Sequence, residues 1–184
     1  MEIGKIEEIQ CPNSSDQIKE LLFCCDEEFF PSLSSRTSST QSTLAQNEGD
    51  QPNDGPLTYF QAMIKQNFII AVESEELVGF LSYIDGYQND VFEGHVLNDT
   101  NMYVSTICVN KDYRGQRIAH RLYDALEEVI TSSGEGYIST RTWSTNTSHL
   151  KILEKRSFDI IETLKDHRGK GIDTSYFLKE VYSL

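Results

Sequence analysis

The stretch on which the fold of this chain depends runs from Tyr103 to Ile130 and has the sequence YVSTICVNKDYRGQRIAHRLYDALEEVI. Its first part, Tyr103–Val109, is rich in β-branched and aromatic residues, which predicts a buried strand. Its last part has apolar residues at helical spacing, which predicts a helix with one apolar face. The residues of that face are Ile118, Leu122, Ala125, Leu126, Val129 and Ile130. The whole stretch therefore predicts a strand, a short loop and a helix.

The loop between this strand and this helix has the features of a phosphate-binding site. A strand that leads into a helix through a short loop directs several unpaired backbone N–H groups, and the positive end of the helix dipole, toward one point. Such an arrangement binds phosphate. The local charge agrees, because Lys111, Arg114, Arg117 and Arg121 lie near one acidic residue, Asp112, in a chain with a formal net charge of −13. The alternative is an ordinary crossover loop with surface arginines.

The loop sequence resembles the pyrophosphate loop of the GNAT superfamily of acyl-CoA-dependent N-acyltransferases. That signature is Gln or Arg, two residues, Gly, one residue, then Gly or Ala. Arg114 and Ala119 match its two ends, whereas Arg117 replaces the central Gly. Because only Pro lacks a backbone N–H, we expect the site to persist if Arg117 keeps a helical φ, with a cation gained. The resemblance implies that acetyl-CoA binds here, through Arg114, Gly115, Gln116, Arg117, Ile118 and Ala119.

A second motif, about 30 residues further on, strengthens the resemblance. In the GNAT pattern an Asn opens a helix, and an apolar stretch, a Tyr and the sequence Glu-Lys-Leu-Gly-Phe follow. This chain has Asn146, Glu154-Lys155 and Phe158 in register, with Leu153 where the family often has Tyr. The resemblance covers roughly residues 66–181. It implies that Asn146 hydrogen-bonds the cofactor; the alternative is a polar residue in the first turn of a helix.

The predicted elements along the chain occur in the order β, α, α, β, β, β, α, β, α, β, β. This order is typical of an α/β fold with a single mixed sheet and helices on both of its faces. The crossover helices imply that the central strands run parallel, so that the sheet is partly parallel. We predict one GNAT-like domain over residues 1–184, in which residues 10–65 form a variable helical segment on the acceptor side, with a polar loop at 31–55.

Composition and charge disfavour several classes of protein. Residues 1–100 carry 18 acidic and 4 basic residues, whereas residues 101–184 carry 11 acidic and 12 basic ones. A nucleic-acid-binding protein usually has a basic face, so we expect no nucleic-acid partner. The acidic part could attract a cationic acceptor, or it could serve solubility alone. The four cysteines have no zinc-ligand spacing, and we expect no metal site.

The sequence also bears on location. No apolar run approaches the roughly 20 residues needed to cross a bilayer, so no membrane segment is expected. The first ten residues, MEIGKIEEIQ, lack the basic and apolar regions of a signal peptide. We therefore predict a cytoplasmic protein, and both a monomer and a homodimer remain open.

The resemblance further implies how the cofactor arm is held. The arm would lie between splayed strands at 102–109 and 137–143 and bond to them like an added strand. Backbone groups of Ile107 and Val109 would bind it, and the reaction's oxyanion would lie near the N–H of Ile107 or Cys108. The Cys108 side chain has no Cys/His/Asn constellation around it, so we predict a packed thiol and not a nucleophile.

The sequence identifies no obvious acid or base. No carboxylate occurs on the central strand, where Tyr103, Ser105 and Ile107 are predicted to share one face. The candidates for proton transfer are His149, Tyr103 and Tyr176; a packed histidine is the alternative for His149.

Arg36 is the candidate for binding the acceptor, because it lies in the only apolar–basic cluster of the 31–55 loop. A solvated arginine is the alternative. We expect Arg36 to approach Tyr103, His149 and Tyr176 around the position of the thioester.

These observations together predict an enzyme that moves an acetyl group from acetyl-CoA to a primary amine by direct attack on the thioester. The acceptor would be a small-molecule amine or a peptide. Two alternatives remain: a non-catalytic acyl-CoA-binding or sensor domain that has lost the usual Tyr and carboxylate, and an interaction module that keeps only the fold.

Overall fold

A computed structural model describes residues 1–35, 56–96 and 100–183 of the chain. Its helices and strands follow the predicted order, which confirms that prediction. They are β1 Glu2–Lys5, α1 Ser14–Cys24, α2 Leu57–Met63, β2 Asn67–Glu73, β3 Glu76–Ile84, β4 Asn101–Val109, α3 Ile118–Ser133, β5 Gly136–Trp143, α4 Thr147–Lys155, β6 Asp159–Leu164 and β7 Thr174–Val181. No helix in these described ranges is long and apolar enough to cross a membrane.

The strands form one mixed sheet in the order β1-β2-β3-β4-β5-β7-β6. Only β4 and β5 pair in parallel; the other neighbouring strands within the described residues are antiparallel. Parallel neighbours need a long crossover, and α3 supplies it between β4 and β5. The predicted α/β class with a mixed, partly parallel sheet is therefore confirmed.

Helices cover both faces of the sheet, because successive strand residues point to opposite sides. On β2, Ile69 and Ala71 join the core beneath α3, whereas Phe68, Ile70 and Val72 join the core beneath α1 and α2. In the apolar stripe of α3, Ile118, Leu122, Leu126 and Ile130 are buried and Ala125 and Val129 are partly buried against the same core, as the periodicity predicted. Burying one such aliphatic side chain contributes about 1.5–3 kcal/mol, so both cores hold their helices against the sheet.

The parallel pairing between β4 and β5 is short. It begins at Asn101 with Tyr137 and ends at Val104 with Thr140, although β4 continues to Val109 and β5 to Trp143. The carboxyl ends of the two strands therefore diverge, as the resemblance implied. This divergence opens the sheet at one place in its middle.

A β-bulge lies in β4 beside this opening. Against β3, Ser82 pairs with Thr106 and Tyr83 pairs with Val104, so the register shifts by one residue at Ser105. A bulge of one residue reverses the alternation of side chains beyond it. The prediction that Tyr103, Ser105 and Ile107 share one face is therefore wrong: Ile107 packs against the core under α3, whereas Tyr103 packs on the other side of the sheet.

The segment 85–96 adds a third apolar cluster on the α1 side of the sheet. Its short 3₁₀ helix, Asp90–Phe92, buries Phe92 against the strands. The buried members of the cluster are Phe92, Tyr103, Tyr137, Tyr176 and Leu178. The segment thus covers the half of the sheet that α1 and α2 leave open.

Candidate active site

A cavity of about 630 Å³ lies where β4 and β5 diverge. On the α3 side it is lined by the loop before α3 and by the first turn of α4. On the α1 side it is lined by Cys25, Glu28, Phe29 and Arg168, and the ends of both strands form its walls. Because its lining residues come from both faces, the cavity passes through the layer of the sheet. We call the part at the loop before α3 the loop end and the part at Phe29 and Arg168 the far end.

The backbone of β4 presents alternate residues to this cavity. The Asn110 N–H donates to the Val78 carbonyl at 2.9 Å, so the backbone groups of Asn110 point toward β3. In an antiparallel pair every second residue bonds to the same neighbour, so the backbone groups of Cys108 point toward β3 as well. Ile107 and Val109 therefore point away from β3, toward the gap that β5 leaves. The expected oxyanion position at the Cys108 N–H is wrong, because that N–H belongs to the ladder with β3. The position at Ile107 remains a prediction.

The Cys108 side chain is buried on the α1 side, beside Cys25. Burial raises the pKa of the Cys108 thiol. A buried thiol that is protonated at neutral pH is unreactive, which agrees with the interpretation of Cys108 as a packed residue.

The loop end directs N–H groups into the cavity. The first helical hydrogen bond of α3 runs from the Arg121 N–H to the Arg117 carbonyl at 3.1 Å. The N–H groups of Ile118, Ala119 and His120 therefore have no acceptor within the helix. All three residues line the cavity, as do Arg114 and Gly115, whereas Gln116 is exposed and does not.

Arg117 precedes α3 in a left-handed conformation, with φ 60° and ψ 21°. The expectation of an ordinary helical φ is therefore wrong. The position keeps the backbone conformation that favours glycine, the residue usual there in the family, although an arginine occupies it. Its side chain is exposed at the mouth of the cavity, where it adds positive charge next to the N–H groups.

The Arg114 side chain braces the loop end. Its guanidinium donates to both carboxylate oxygens of Glu28, at 2.7 and 2.8 Å, and to the Val109 carbonyl at 3.2 Å. Glu28 lies in a 3₁₀ turn that follows α1, so this pair ties the loop to the opposite side of the sheet. The pair is about half exposed, and its contribution to stability is correspondingly small.

Asn146 caps α4 and lines the cavity. Its side-chain oxygen accepts from the His149 N–H at 3.3 Å, and its amide donates to the Thr142 hydroxyl at 3.1 Å. Both groups of the side chain thus have partners in the protein. To form the predicted hydrogen bond with the cofactor, the Asn146 side chain would have to give up one of these two hydrogen bonds or share the atom that makes it.

His149 forms a buried pair with Tyr123 of α3, a residue the sequence analysis missed. The His149 Nε2 atom lies 2.9 Å from the Tyr123 hydroxyl, and His149 is only 8% exposed. Burial lowers the pKa of His149 to about 4, so the imidazole is neutral at pH 7. Burial also raises the pKa of Tyr123. Tyr123 follows Leu122 of the apolar stripe, so its position in the sequence predicted only that it packs in the core.

The candidate residues do not all meet. Tyr103 and Tyr176 lie in the cluster on the α1 side, whereas His149 lies on the α3 side of the sheet. Tyr103 stacks on Tyr87 with ring centroids 4.2 Å apart, and neither Tyr103 nor Tyr176 lines the cavity. The expected convergence of His149 with the two tyrosines is therefore wrong. Arg36 and most of the 31–55 loop lie outside the described residues.

The far end contains an arginine that the sequence analysis did not select. Arg141 lies on β5, lines the cavity and donates from Nη1 to the Tyr176 hydroxyl at 3.1 Å. Next to it, Trp143 packs against Phe29 with centroids 6.4 Å apart, and the Arg168 guanidinium lies 5.0 Å from the Trp143 ring. The one available signal was a cation between Thr140 and Thr142, near the end of a predicted strand.

Comparison with known proteins identifies the family. The sequence matches the model of the acetyltransferase (GNAT) family over residues 23–158, which is more than half of the chain. The chain therefore belongs to the GNAT acetyltransferase family, which confirms the resemblance. This family uses acetyl-CoA as acyl donor, and the N–H groups at the start of α3 and the open strand edge at Ile107 suit such a donor. No curated protein sequence matches the chain.

Solved structures share the fold at low sequence identity. An aminoglycoside 6′-N-acetyltransferase complexed with coenzyme A has a TM-score of 0.65 and 18% identity, covering 100% of this chain and 99% of that one. The aminoglycoside 6′-N-acetyltransferase from Enterococcus faecium has a TM-score of 0.65 and 17% identity, with the same two coverages. A ribosomal-protein-alanine N-acetyltransferase from Escherichia coli has a TM-score of 0.52 and 12% identity, covering 64% and 70%.

Proposed function

We propose that this chain transfers an acetyl group from acetyl-CoA to a primary amine, which attacks the thioester directly. The observation that carries the proposal is the cavity through the sheet, which joins the N-terminus of α3 to the α1 side. A donor held at the loop end and an acceptor at the far end could meet at the diverging strands. The names of two similar structures, an aminoglycoside and a ribosomal-protein N-acetyltransferase, support an amine acceptor, either a small molecule or a peptide.

On the donor side, the proposal assigns most of the binding to backbone groups. The N–H groups at the start of α3 would hold the pyrophosphate, with Arg117 adding charge. Ile107 would form main-chain hydrogen bonds with the cofactor arm, and its N–H would donate to the oxyanion. Because the Val109 carbonyl already accepts from Arg114, Ile107 carries more of this role than Val109. Bound acetyl-CoA supplies the activated acetyl group.

Proton transfer has few candidates in the cavity. With a pKa of about 4, His149 is too weak a base to hold a proton at pH 7, although its ring can orient neighbouring groups. Glu28 is the only carboxylate among the described residues that line the cavity, and Arg114 binds it. We therefore propose that water takes the proton from the amine. Water can also protonate the leaving thiolate, since the pKa of a thiol is about 8.5.

One observation favours the second candidate, a non-catalytic acyl-CoA-binding or sensor domain. Leu153, at the position of the usual Tyr, is completely buried and packs in the core under α3. A leucine side chain has no proton to donate, so this position supplies no acid, and the described cavity offers no unpaired carboxylate as a base. Such a domain would bind the cofactor at the same loop and release no thiol.

The experiment that separates the two is mass spectrometry of acetyl-CoA incubated with the protein and a broad amine library. The proposed enzyme should produce free CoA and an N-acetylated amine in equal amounts. Saturable binding of acetyl-CoA without thiol release would support the sensor, and no binding at all would contradict both. A cytoplasmic location, a single domain and a homodimer stay predictions of the sequence.

A further inference from the structure

The cavity is cationic at both of its ends. Its described lining residues include Arg114 and Arg117 at the loop end, Arg141 and Arg168 toward the far end, and one carboxylate, Glu28. Under the proposed function, the phosphates of the donor account for the charge at the loop end. They do not account for the charge at the far end, which lies on the other side of the sheet.

Arg141 has unused hydrogen-bonding capacity. A guanidinium has five N–H donors, and the hydrogen bond found for this side chain among the described residues is the one from Nη1 to Tyr176. Its Nε atom is buried with no partner, and no carboxylate in the described part of the chain forms an ion pair with it. A partly buried cation without a counter-ion is unfavourable, so an anion that reached this position would be held strongly.

The residues around Arg141 are shaped for an organic anion and not for a bare ion. Trp143 and Phe29 give the far end an aromatic wall. Arg168 is positioned by a hydrogen bond from its Nε to the Thr174 hydroxyl at 3.0 Å and by another to the Phe30 carbonyl. The far end thus combines two guanidinium groups with apolar surface within one cavity.

We propose that the acceptor carries a carboxylate beside its amine, as in an amino acid, and that Arg141 binds this carboxylate. The inference rests on the proposed function and specifies its acceptor. Arginine suits the task, because its planar fork can donate two parallel hydrogen bonds to one carboxylate. The acidic composition of residues 1–100 left two interpretations open, a cationic acceptor or solubility alone. The charged residues that line the cavity are mostly basic, so they favour an anionic group on the acceptor.

The test compares an acid with its neutral amide of nearly the same shape. N-acetylphenylalanine and N-acetylphenylalanine amide resemble an acetylated product, and calorimetry in the presence of saturating CoA measures their binding. The wild-type protein should bind the acid at least about ten-fold more tightly than the amide. In Arg141→Gln this ratio should fall to about two-fold or less, and Arg141→Lys should keep part of it.

A matched control is Lys170→Gln, which changes the net charge equally at an exposed residue outside the cavity. It should keep the preference for the acid. An unchanged thermal shift with CoA would show that Arg141→Gln is folded. Equal binding of acid and amide by the wild type, no binding of either, or a preference retained in Arg141→Gln would each overturn the inference.

Acetyl transfer distinguishes the two proposals. If the acid is bound selectively but no amine is acetylated, the proposed function fails and the carboxylate site stands. If phenylalanine and phenylalanine amide are acetylated with the same kcat/KM, the function stands and the carboxylate site fails. A kcat/KM preference for phenylalanine that disappears in Arg141→Gln supports both.

Discussion

The loop end and the far end of the cavity both contain arginine, but the chain builds them in different ways. The loop end comes from consecutive residues, and its main binding groups are backbone N–H groups at the start of α3. The far end brings together Phe29, Arg141, Trp143 and Arg168 from three separate segments of the chain, and its binding groups are side chains. Replacing Arg141, the main binding side chain of the far end, should therefore abolish most of its binding, whereas one substitution at the loop end leaves most of the N–H groups in place.

The two sides of the sheet also differ in their titratable groups. The α3 side has the neutral pair His149–Tyr123, whereas the α1 side has Arg141 against Tyr176. Under the proposed function, the donor side has a buried histidine that is uncharged at pH 7, and the acceptor side has an arginine that is always charged. The predictions below test this difference, from the largest expected effect to the smallest.

The largest expected effect is the pH dependence of the free energy of unfolding that His149 causes. Burial lowers its pKa from the ordinary 6.5 to about 4, so between these pH values the unfolded chain binds a proton that the folded protein does not. The free energy of unfolding should therefore fall as the pH falls from 6.5 to 4, by up to about 3 kcal/mol. Urea unfolding at several pH values would measure this fall.

The variant His149→Gln should lose this part of the pH dependence, because glutamine does not titrate in that range. Carboxylates that titrate below pH 5 contribute to both proteins, so the difference between the two profiles isolates His149. Parallel profiles for wild type and variant would contradict the assignment of a neutral, buried His149.

The next effect is stabilisation by CoA at the loop end. A ligand at about 100 times its dissociation constant stabilises the fold by about 2.7 kcal/mol. Arg141→Gln should show the same increase in melting temperature with CoA as the wild type, because the two ends bind separate ligands. A melting temperature unaffected by millimolar CoA would contradict cofactor binding, and a loss of the shift only in Arg141→Gln would contradict the independence of the two ends.

A smaller effect is expected from Arg117, which lies in a conformation that favours glycine. Arg117→Gly should stabilise the fold by about 1 kcal/mol, or about 2–4 °C in melting temperature for a chain of this size. It should also weaken CoA binding about two- to five-fold, more at low salt than at high salt, because an exposed cation is lost.

Gly115→Ala is the matched opposite change. Gly115 has φ 78°, and a Cβ there would have no heavy atom within 4 Å, so strain and not a clash should destabilise the variant. Calorimetric melting of both variants and CoA titrations at two salt concentrations would check the pair. Tighter CoA binding by Arg117→Gly would mean that the arginine obstructs the loop.

The smallest effect should come from Tyr176→Phe at the far end. The substitution removes the hydroxyl that accepts from Arg141 but keeps the ring in its aromatic cluster. One hydrogen bond to a charged donor at a partly exposed site should be worth about 1 kcal/mol. We expect up to about a five-fold loss in affinity for N-acetylphenylalanine and no change for CoA. Weakened CoA binding in this variant would contradict the separation of the two ends.

Much of the fold could be predicted because its signals are local. The periodicity of α3 follows from neighbouring residues, and so do the alternation in β2 and β3 and the order of the elements. The bulge at Ser105 could not be predicted in this way, because it depends on how β4 pairs with β3. Missing it placed Ile107 on the same face as Tyr103, whereas the two residues pack on opposite sides of the sheet.

The sequence by itself determined the family, the order of the elements and the loop end. The loop is contiguous, and its function depends on backbone groups that almost any residue supplies, so the motif remained recognisable despite Arg117. Only the tertiary structure decided the far end, where Arg168 bonds to the Phe30 carbonyl across 138 residues of sequence. It also decided that His149 is neutral, because its pKa depends on its burial with Tyr123. Charge and contact at such positions arise only when distant segments pack together, and no local pattern records them.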